Sequence, residues 1–531
     1  MAGYILLFVV IILICLILHN TSSKLGIPML LAFIVLGMIF GSDGLVKLQF
    51  DDYVLAQQVC SVALIFIMFY GGYGTSWKSA KPVATKAILL SSVGVILTAL
   101  LVGLFSFFVL HIDFWESMLI GSVISSTDAA SVFSILRSKR LNLRDNTAPL
   151  LEIESGSNDP CAYMLTIAIL TVMNGKVSGG ELIYMMFAQV AFGLLFGICT
   201  ARISHYILGK MQNAKDGIDT IFVFTMALFA YAGAEIIGGN GYLSVYIAGI
   251  ILGNQPSKNK IAITHFFDGI TGLIQMSLFF LLGLLSFPSQ FVGILKVAIA
   301  IAVFLTLVAR PVAVFAILAP FKCSFNQKIL VSWAGLRGAA SIVFAMMATN
   351  HPAYMKNDIF HIVFFVVLFS ISIQGTLIPF VSRKLGMIDD NTNIMKTFSD
   401  YSEEIPIQFI KVSIAKNHPW NSKTVKDIKI IPDILLVLIL RGKERIVPKG
   451  NTTIREGDAI VLSAFSVEDH IAGALTELII DKENDWLGKT LKEVKLGNEK
   501  IIVAIKRQNK VLIPNGKTIL KEQDVLVISQ R

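Results

Sequence analysis

The chain has 531 residues, of which 55% are hydrophobic and 15% are charged, and its net charge is +9. A soluble domain usually carries about 45–50% apolar and roughly 25% charged residues. This composition excludes a protein made only of soluble domains and indicates that most of the chain lies in lipid. The basic residues are spread among hydrophobic segments, which argues against a nucleic-acid partner and for a role in membrane topology.

Up to about residue 385 the chain alternates long apolar runs with short polar stretches, which predicts an all-α polytopic membrane domain. Most runs reach the roughly 20 residues that a helix needs to cross a bilayer. The runs 28–41 and 242–253 are short and rich in Gly, so they are predicted to be re-entrant or tilted spans sheltered by neighbours. The thirteen predicted spans are 4–20, 28–41, 54–70, 86–110, 115–136, 149–173, 182–207, 219–237, 242–253, 264–286, 291–318, 327–349 and 359–381.

The basic residues of the loops predict the orientation in the membrane. Most of them follow odd-numbered spans, whereas the loops after even-numbered spans hold only Lys47, Lys176 and Lys356. The positive-inside rule therefore places the N-terminus outside and the C-terminal tail in the cytoplasm. The expected location is the cell membrane.

The fifth predicted span contains four consecutive polar residues, Ser125 to Asp128, near its middle. Ser and Thr hydroxyls can bind the local backbone, so this segment is predicted to interrupt the helix. An interrupted helix exposes carbonyl oxygens at one half-end and N–H groups at the other. Such a segment is suited to hold a cation that has lost part of its water shell.

The sixth predicted span carries polar residues along one side. Ser155 and Asp159 share one helical face, and Glu154 and Asn158 share the adjacent face, because each pair is four residues apart. The alternative is a cytoplasmic loop followed by a helix that begins at Pro160. Against it, the apolar stretch crosses the membrane only if it includes these polar residues.

Three further charges lie in or beside predicted spans. Arg337 is too central to reach water, so it needs an acidic partner. Glu154 is the predicted partner, because Asp159 is needed for chemistry. Arg310 is predicted to support a kinked backbone or to contact another acid, and Glu235 is predicted to lie at the outer interface.

Three motifs carry a resemblance to a known family: Thr127-Asp128, the run from Glu154 to Pro160, and Gly335-Leu336-Arg337-Gly338. Over about residues 1–385 the chain resembles the monovalent cation/proton antiporters of the NhaP type. The resemblance implies an inverted repeat with two broken helices, and a six-helix core that moves against a dimerisation domain in a homodimer. A weak internal similarity between 128–131 and 338–341 agrees with such a repeat.

The resemblance also implies roles for individual residues. Asp159 is the carboxylate that binds either a proton or a monovalent cation, K⁺ or Na⁺. Thr127 and Ser155 supply oxygen ligands, Asp128 acts directly or through water, and Asn158 supports the site. Glu154 and Arg337 form a structural ion pair.

No resident cofactor and no enzymatic activity are expected. The sequence contains neither the HExxH nor the GxSxG motif, and its eight histidines are dispersed.

The tail after residue 385 contains an internal repeat. Trp420 and Trp486 begin two similar segments, and the offset of 66 residues also relates Asp458 to Asp524. A single ungapped offset predicts two copies of one small α/β module. The predicted divisions are a membrane domain at 1–385, a linker at 386–406, and modules at 407–466 and 467–531.

Each module resembles the C-terminal ligand-binding module of potassium-conductance regulators (the RCK C-terminal type). The whole chain is therefore similar to bacterial potassium/proton antiporters of the CvrA type. The resemblance implies that a small regulatory ligand binds the tail, cyclic di-AMP or another nucleotide among the candidates. Which copy binds a ligand stays open.

The predicted mechanism is electroneutral exchange of one monovalent cation for one proton at Asp159, with K⁺ favoured from the resemblance of the tail. A Na⁺/H⁺ antiporter is the first alternative. A ligand-gated cation channel is the second, because Gly72-Tyr73-Gly74 is similar to a potassium filter, although Thr-Val does not precede it.

Overall fold

The structure is a computed structural model of the chain. It describes residues 6, 9–18, 29–138, 141–175, 177–211, 217–255, 260–353, 355–389, 407–428, 434–442, 444–465, 475–481, 484–494, 500–507, 510–512, 514 and 516–530. The chain divides into two units, Met1–Ile394 and Met395–Arg531. Most of the predicted linker, residues 390–406, lies outside the described part of the chain.

The first unit is helical. In chain order its described helices are α1 (Val9–Leu18), α2 (Met29–Phe40), α3 (Tyr53–Gly74), α4 (Trp77–Ala80), α5 (Ala84–Phe108), α6 (Phe114–Val123), α7 (Ala129–Ser138), α8 (Thr147–Met173), α9 (Gly179–Lys210), α10 (Ile218–Ile236), α11 (Gly241–Gly253), α12 (Lys260–Leu284), α13 (Gly293–Leu318), α14 (Phe325–Trp333), α15 (Ala339–Thr349) and α16 (Ile359–Lys384).

A helix, or a pair of helices, lies at each of the predicted spans. Among the described residues, seven helices are long and apolar enough to cross a membrane: α3, α5, α9, α10, α12, α13 and α16. The predicted short spans correspond to α2 and α11, and the ends of the first predicted span lie outside the described residues. The prediction of a helical membrane domain is therefore confirmed.

Two stretches of chain interrupt the helices, and we name them the first break (residues 124–128, between α6 and α7) and the second break (residues 334–338, between α14 and α15). Near the first break the Ser122 hydroxyl donates to the Leu119 carbonyl at 2.8 Å, and the Ser125 hydroxyl donates to the Ser122 carbonyl at 2.6 Å. These bonds compete with the helical pattern. In the second break two glycines weaken the helix.

Three helices contain a π turn, at Leu90–Gly94 in α5, Leu305–Ala309 in α13 and Ser370–Gly375 in α16. A π turn inserts one residue and rotates the side chains that follow it. The π turn of α13 ends immediately before Arg310, and that of α16 begins at Ser370. Both residues contact the region of the two breaks, as described below.

Glycines bring α11 into backbone contact with α3 and α9. A Cβ atom at Gly249 of α11 would lie 2.5 Å from the Phe69 carbonyl oxygen of α3. A Cβ atom at Gly193 of α9 would lie 2.8 Å from the carbonyl oxygen of Asn240, the residue before α11. Backbones this close leave no room for a side chain, so these three helices pack as one scaffold.

The second unit contains two four-stranded antiparallel sheets. The first has the strand order β1 (Ile407–Ser413), β4 (Ala459–Phe465), β2 (Leu435–Arg441) and β3 (Glu444–Ile446). The second has the order β5 (Leu475–Ile479), β8 (Val525–Gln530), β6 (Lys500–Arg507) and β7 (Lys510–Leu512).

The strand order and the hydrogen bonds of the first sheet recur in the second. An irregularity in the pairing of β2 with β4, between Leu436 and Leu438, recurs between Ile502 and Ala504. The described residues of the tail hold strands and one 3₁₀ turn, Val425–Asp427, but no α-helix. The α part of the predicted α/β modules is therefore not seen in the described residues.

Candidate functional site

The two breaks lie against each other. The backbone N–H of Asp128, in the first break, donates a hydrogen bond to the carbonyl of Leu336, in the second, at 2.7 Å. A Cβ atom at Gly338 would lie 2.6 Å from Oδ2 of Asp128. Only a glycine allows the second break to approach this closely.

Charged side chains compensate the helix ends that the first break exposes. Nη1 of the buried Arg337 donates to the carbonyls of Ser125 and Ser126 at 2.8 and 2.7 Å, at the C-terminal end of α6. Asp128 caps the N-terminal end of α7, because its carboxylate accepts from the Ser131 backbone N–H at 3.1 Å and from the Ser131 hydroxyl. A cation at a helix C-terminus and an anion at an N-terminus are both stabilising.

The predicted ion pair between Glu154 and Arg337 is wrong. Glu154 of α8 pairs with Arg310 of α13 through two contacts, Nη1 to Oε1 and Nη2 to Oε2, each 3.0 Å long. The guanidinium of Arg337 instead binds backbone carbonyls, and its backbone N–H donates to the Ser370 hydroxyl at 3.1 Å. Arg310 therefore contacts another acid, one of its two predicted roles.

Helix α8 runs without interruption from Thr147 to Met173, so Pro160 lies inside it. The alternative of a loop followed by a helix that begins at Pro160 is therefore wrong. Because proline has no backbone N–H, the carbonyl of Gly156 lacks its usual intrahelical donor. The missing hydrogen bond lies in the helical turn that precedes Asp159.

The structure brings the polar residues of α8 against the first break. The Ser155 hydroxyl donates to the Thr127 carbonyl at 2.8 Å, and Nδ2 of Asn158 donates to the Thr127 hydroxyl. The Asn158 amide also lies 3.4 Å from Oε1 of Glu154. The predicted residues Thr127, Ser155, Asn158 and Glu154 thus share one buried network.

Ser126 is a site residue that the sequence interpretation missed. Its hydroxyl, 1% exposed, donates a hydrogen bond to Oδ1 of Asp159. A hydrogen bond to a carboxylate is stronger than one between neutral groups. The signal was present in the sequence, since Ser126 belongs to the polar run that predicted the first break.

Asp159 lies at the edge of this network and is 9% exposed. The Ser126 hydroxyl binds this carboxylate, and the Thr127 carbonyl and the Ser155 hydroxyl belong to the same network. Hard oxygen ligands of this kind suit alkali-metal cations. The arrangement can therefore hold a cation or a proton at one buried carboxylate.

The side chain of Glu235 faces other residues of the protein, so Glu235 is not an isolated residue at the outer interface. Its carboxylate accepts from the Gly241 backbone N–H at 2.9 Å, and the hydroxyl of Tyr163 lies close to it. The ring of Tyr163 packs edge-on against Tyr242, with centroids 5.1 Å apart. Glu235 therefore joins α8 to the turn between α10 and α11.

A buried carboxylate beside two adjacent interrupted helices is characteristic of secondary ion transporters. Residues 9–384 match the family model described as sodium/hydrogen exchanger, transmembrane. Residues 409–464 and 475–529 each match the model of the TrkA-C domain. The chain belongs to the sodium/hydrogen exchanger family and carries two TrkA-C domains.

Curated relatives and a solved structure agree with this assignment. The chain is 33% identical over 449 residues to the K(+)/H(+) antiporter NhaP2 of Shewanella baltica, covering 83% of this chain and 77% of that protein. It is 30% identical to the K(+)/H(+) antiporter NhaP of Alkalimonas amylolytica, with the same coverage. The sodium proton antiporter MjNhaP1 of Methanocaldococcus jannaschii shares the fold, with a TM-score of 0.62, 22% identity, and coverage of 72% and 98%.

Proposed function

We propose that this chain is a K⁺/H⁺ antiporter of a bacterial plasma membrane. In this proposal it spans the bilayer thirteen times as an inverted repeat, with its N-terminus outside and its tail in the cytoplasm, and it forms a homodimer. Relatives that share about a third of its residues are named K(+)/H(+) antiporters, which supports K⁺ as the cation.

The observation that carries the proposal is the environment of Asp159. The carboxylate sits in a buried network of hydroxyl and carbonyl oxygens, and Ser126 donates to one of its oxygens. In the proposed site Asp159 binds the cation or the proton, and Thr127 and Ser155 supply further oxygens. Asp128 takes part directly or through water, and Asn158 holds Thr127 in place.

Coupling of the two flows follows from the cost of burying charge. A carboxylate that crosses the low-dielectric centre of a membrane without a counter-charge costs several kcal/mol. A bound proton or a bound K⁺ neutralises Asp159, so the loaded site crosses and the empty one does not. One carboxylate holds one of these ions at a time, which makes the exchange competitive.

The stoichiometry follows from the groups in the site. The neighbouring position on α8 is the neutral Asn158, while Glu154 is neutralised by Arg310 at 3.0 Å. One exchanging carboxylate gives one K⁺ for one H⁺, an electroneutral cycle. A current driven by membrane potential in proteoliposomes would contradict this stoichiometry.

The test is dye-monitored exchange in vesicles with K⁺, Na⁺, Li⁺ and Rb⁺ in turn. The parental chain is expected to respond most strongly to K⁺, and Asp159→Asn is expected to abolish exchange in a protein that remains folded. Asp51→Asn, which changes an exposed carboxylate of a loop, is the matched control and is expected to retain activity. Retained exchange in Asp159→Asn would refute the assignment.

Two alternatives make different predictions in the same assay. A preference for Na⁺ over K⁺ would establish the Na⁺/H⁺ antiporter, which the name of the archaeal structural neighbour allows. A channel would give fast flux without proton coupling. The Gly72-Tyr73-Gly74 segment that suggested a filter forms the last turn of helix α3, and the Gly72 carbonyl accepts from the Thr75 N–H at 3.1 Å.

We also propose that a small ligand, such as cyclic di-AMP or another nucleotide, regulates exchange by binding the TrkA-C domains. The two matched segments support this role. Removal of residues 390–531 is expected to abolish any response to the ligand and to leave the exchange itself intact. Exchange that still responds to cyclic di-AMP after the deletion would refute a regulatory site in the tail.

A further inference from the structure

Asn240, the residue before α11, is buried and fixed to two helices of the scaffold. Its backbone N–H donates to the Gln189 carbonyl of α9 at 2.9 Å. Its side-chain oxygen accepts from the Leu243 N–H at 3.0 Å and so caps α11. The close packing of Gly193 against its backbone adds to this attachment. Asn240 therefore cannot shift without α9 and α11.

The amide nitrogen of the same side chain reaches a different helix. Nδ2 of Asn240 donates to the carbonyl of Pro160 in α8 at 2.9 Å. Pro160 directly follows Asp159. One hydrogen bond thus joins the scaffold to the peptide next to the proposed ion-binding carboxylate.

A second contact lies one helical turn further along α8. The ring of Tyr163 packs edge-on against Tyr242 of α11, with centroids 5.1 Å apart, and its hydroxyl lies close to the carboxylate of Glu235, at the end of α10. Glu235 is itself held by the Gly241 N–H at 2.9 Å. Helix α8 is therefore attached to the corner between α10 and α11 at two points, Pro160 and Tyr163.

We propose that Asn240 and Glu235 form a clasp that holds α8 in the conformation seen here, and that opening of the clasp is a step in moving Asp159 between the two sides of the membrane. The inference rests on the proposed antiport, since only a transporter must present Asp159 to both sides. Asn240 and Glu235 are positioning residues in this scheme and do not bind the cation.

The chemistry of the two contacts suits reversible opening. The Pro160 carbonyl keeps its own helical hydrogen bond when Asn240 withdraws. Glu235 keeps the Gly241 N–H, and the cap on α11 uses the oxygen of Asn240 rather than its nitrogen. Opening therefore leaves both acceptors with a partner, so its cost falls on the donors, chiefly the Asn240 amide.

Two substitutions each remove one contact of the clasp. Asn240→Asp keeps the oxygen that caps α11 and removes the amide donor to Pro160, although it also introduces a buried carboxyl group. Tyr163→Phe keeps the ring against Tyr242 and removes the hydroxyl beside Glu235, without introducing a charge. If one variant fails to fold, the other tests the same proposal from the opposite end of the clasp.

The chain offers a matched control for each variant. Asn254, at the other end of α11, donates through its amide to the Thr75 carbonyl that follows α3 at 2.8 Å. Asn254→Asp removes the same kind of donor from a contact that does not involve α8. The ring of Tyr231 packs against Tyr242 within the α10–α11 corner, with centroids 5.0 Å apart, so Tyr231→Phe removes a tyrosine hydroxyl from the same aromatic group.

The experiment measures exchange and conformation separately. Vesicle assays give the maximal rate and the KM for K⁺. Conformation is followed through Cys161, which lies in α8 between the two clasp points, by its rate of reaction with a membrane-impermeant thiol reagent. The full-length chain used for labelling has its four other cysteines replaced by serine.

Asn240→Asp and Tyr163→Phe are each expected to change the labelling rate of Cys161 and the maximal exchange rate by about fivefold, the effect of one ordinary hydrogen bond on an equilibrium. Asn254→Asp and Tyr231→Phe are expected to leave both unchanged. Clasp variants that match the parental chain in both measurements would overturn the clasp, as would controls that change as much. If Asp159→Asn still exchanges ions while Cys161 labelling follows the clasp variants, the assignment of Asp159 as the ion-binding carboxylate fails and the clasp stands as a contact that controls the conformation of α8.

Discussion

Glu154 and Arg310 face each other through both carboxylate oxygens and both terminal guanidinium nitrogens, each contact 3.0 Å long, in a site where the two side chains are 2–3% exposed. The pair joins the centre of α8 to α13 immediately after a π turn. Its consequence is that one of the two acids of α8 that contact the first break, Glu154, carries a permanent partner. Asp159 accepts instead from the neutral Ser126 hydroxyl and can exchange its ion.

Removal of one partner of the Glu154–Arg310 pair is expected to destabilise the fold strongly. Arg310→Met should reduce the stability by about 3–5 kcal/mol, because it leaves a buried carboxylate unpaired. The double variant, Arg310→Met with Glu154→Gln, should lose much less stability. Thermal unfolding of the purified protein in detergent provides the comparison.

The same double-mutant cycle applied to Glu154 and Arg337 is the control. The two side chains bind different partners, so their effects should be closer to additive. A coupling between Glu154 and Arg337 as large as that between Glu154 and Arg310 would contradict the observed pairing.

Ser126 is expected to contribute to ion binding through its hydrogen bond to Asp159. Ser126→Ala should raise the KM for K⁺ about two- to twelvefold, the range that one hydrogen bond of about 0.5–1.5 kcal/mol permits. Ser157→Ala is the matched control, because the Ser157 hydroxyl donates to the Ile153 carbonyl of its own helix at 2.5 Å. Equal effects of the two substitutions on KM would assign Ser126 a structural role only.

Gly338 is expected to tolerate no side chain. A Cβ atom there would lie 2.6 Å from Oδ2 of Asp128, so Gly338→Ala must separate the two breaks. Exchange should fall at least tenfold, with a smaller loss of thermal stability, because the helices on either side retain their packing. Gly71→Ala in α3 meets no atom within 4 Å and should leave both quantities unchanged. An active Gly338→Ala variant would show that the contact between the breaks is dispensable.

The two tail modules are expected to respond alike to pH. Hydrogen bonds from Arg441 hold the pKa of Asp458 below its ordinary value of 3.8. At Asp524 burial raises the pKa, but the bonds from Arg507 outweigh it and the net direction is also down. A lowered folded pKa gives stability that is present above the unfolded value and is lost as pH falls through the folded value.

Asp458→Asn and Asp524→Asn should therefore each destabilise their own module at pH 7, and the difference from the parental chain should vanish in strong acid. Urea titration of the full chain, followed by limited proteolysis of residues 407–530, measures both modules. Asp427→Asn is the control, since that carboxylate accepts from the neighbouring Thr424 hydroxyl. A variant effect that persists below both pKa values would show that it does not arise from the ionised carboxylate.

Much of the fold was predictable because it depends on patterns that are local in the chain. Long apolar runs located the helices, the run from Ser125 to Asp128 located the first break, and the constant offset between Trp420 and Trp486 located two similar sheets. Spacing along α8 also placed Ser155 and Asp159 on one face. These features follow from the period of a helix and from the cost of placing polar groups in lipid.

The partners of the charged side chains were not predictable in the same way. Two arginines far along the chain, Arg310 and Arg337, were candidate partners of Glu154. The motif favoured Arg337, yet Arg310 pairs with Glu154. The guanidinium of Arg337 binds two backbone carbonyls of the first break. Every residue has a backbone carbonyl, so the residue types do not indicate this partner. The hydrogen bond from Ser126 to Asp159 was not predictable either, because it depends on how closely the first break approaches α8.

The order of apolar and polar residues alone was enough to establish a helical membrane protein with a polar, interrupted centre and a duplicated tail. Which buried groups meet was settled by the packing of helices distant in sequence, because a hydrogen bond or ion pair requires atoms to approach within about 3 Å. That distance depends on π turns, on glycine contacts and on the angle at which two breaks meet.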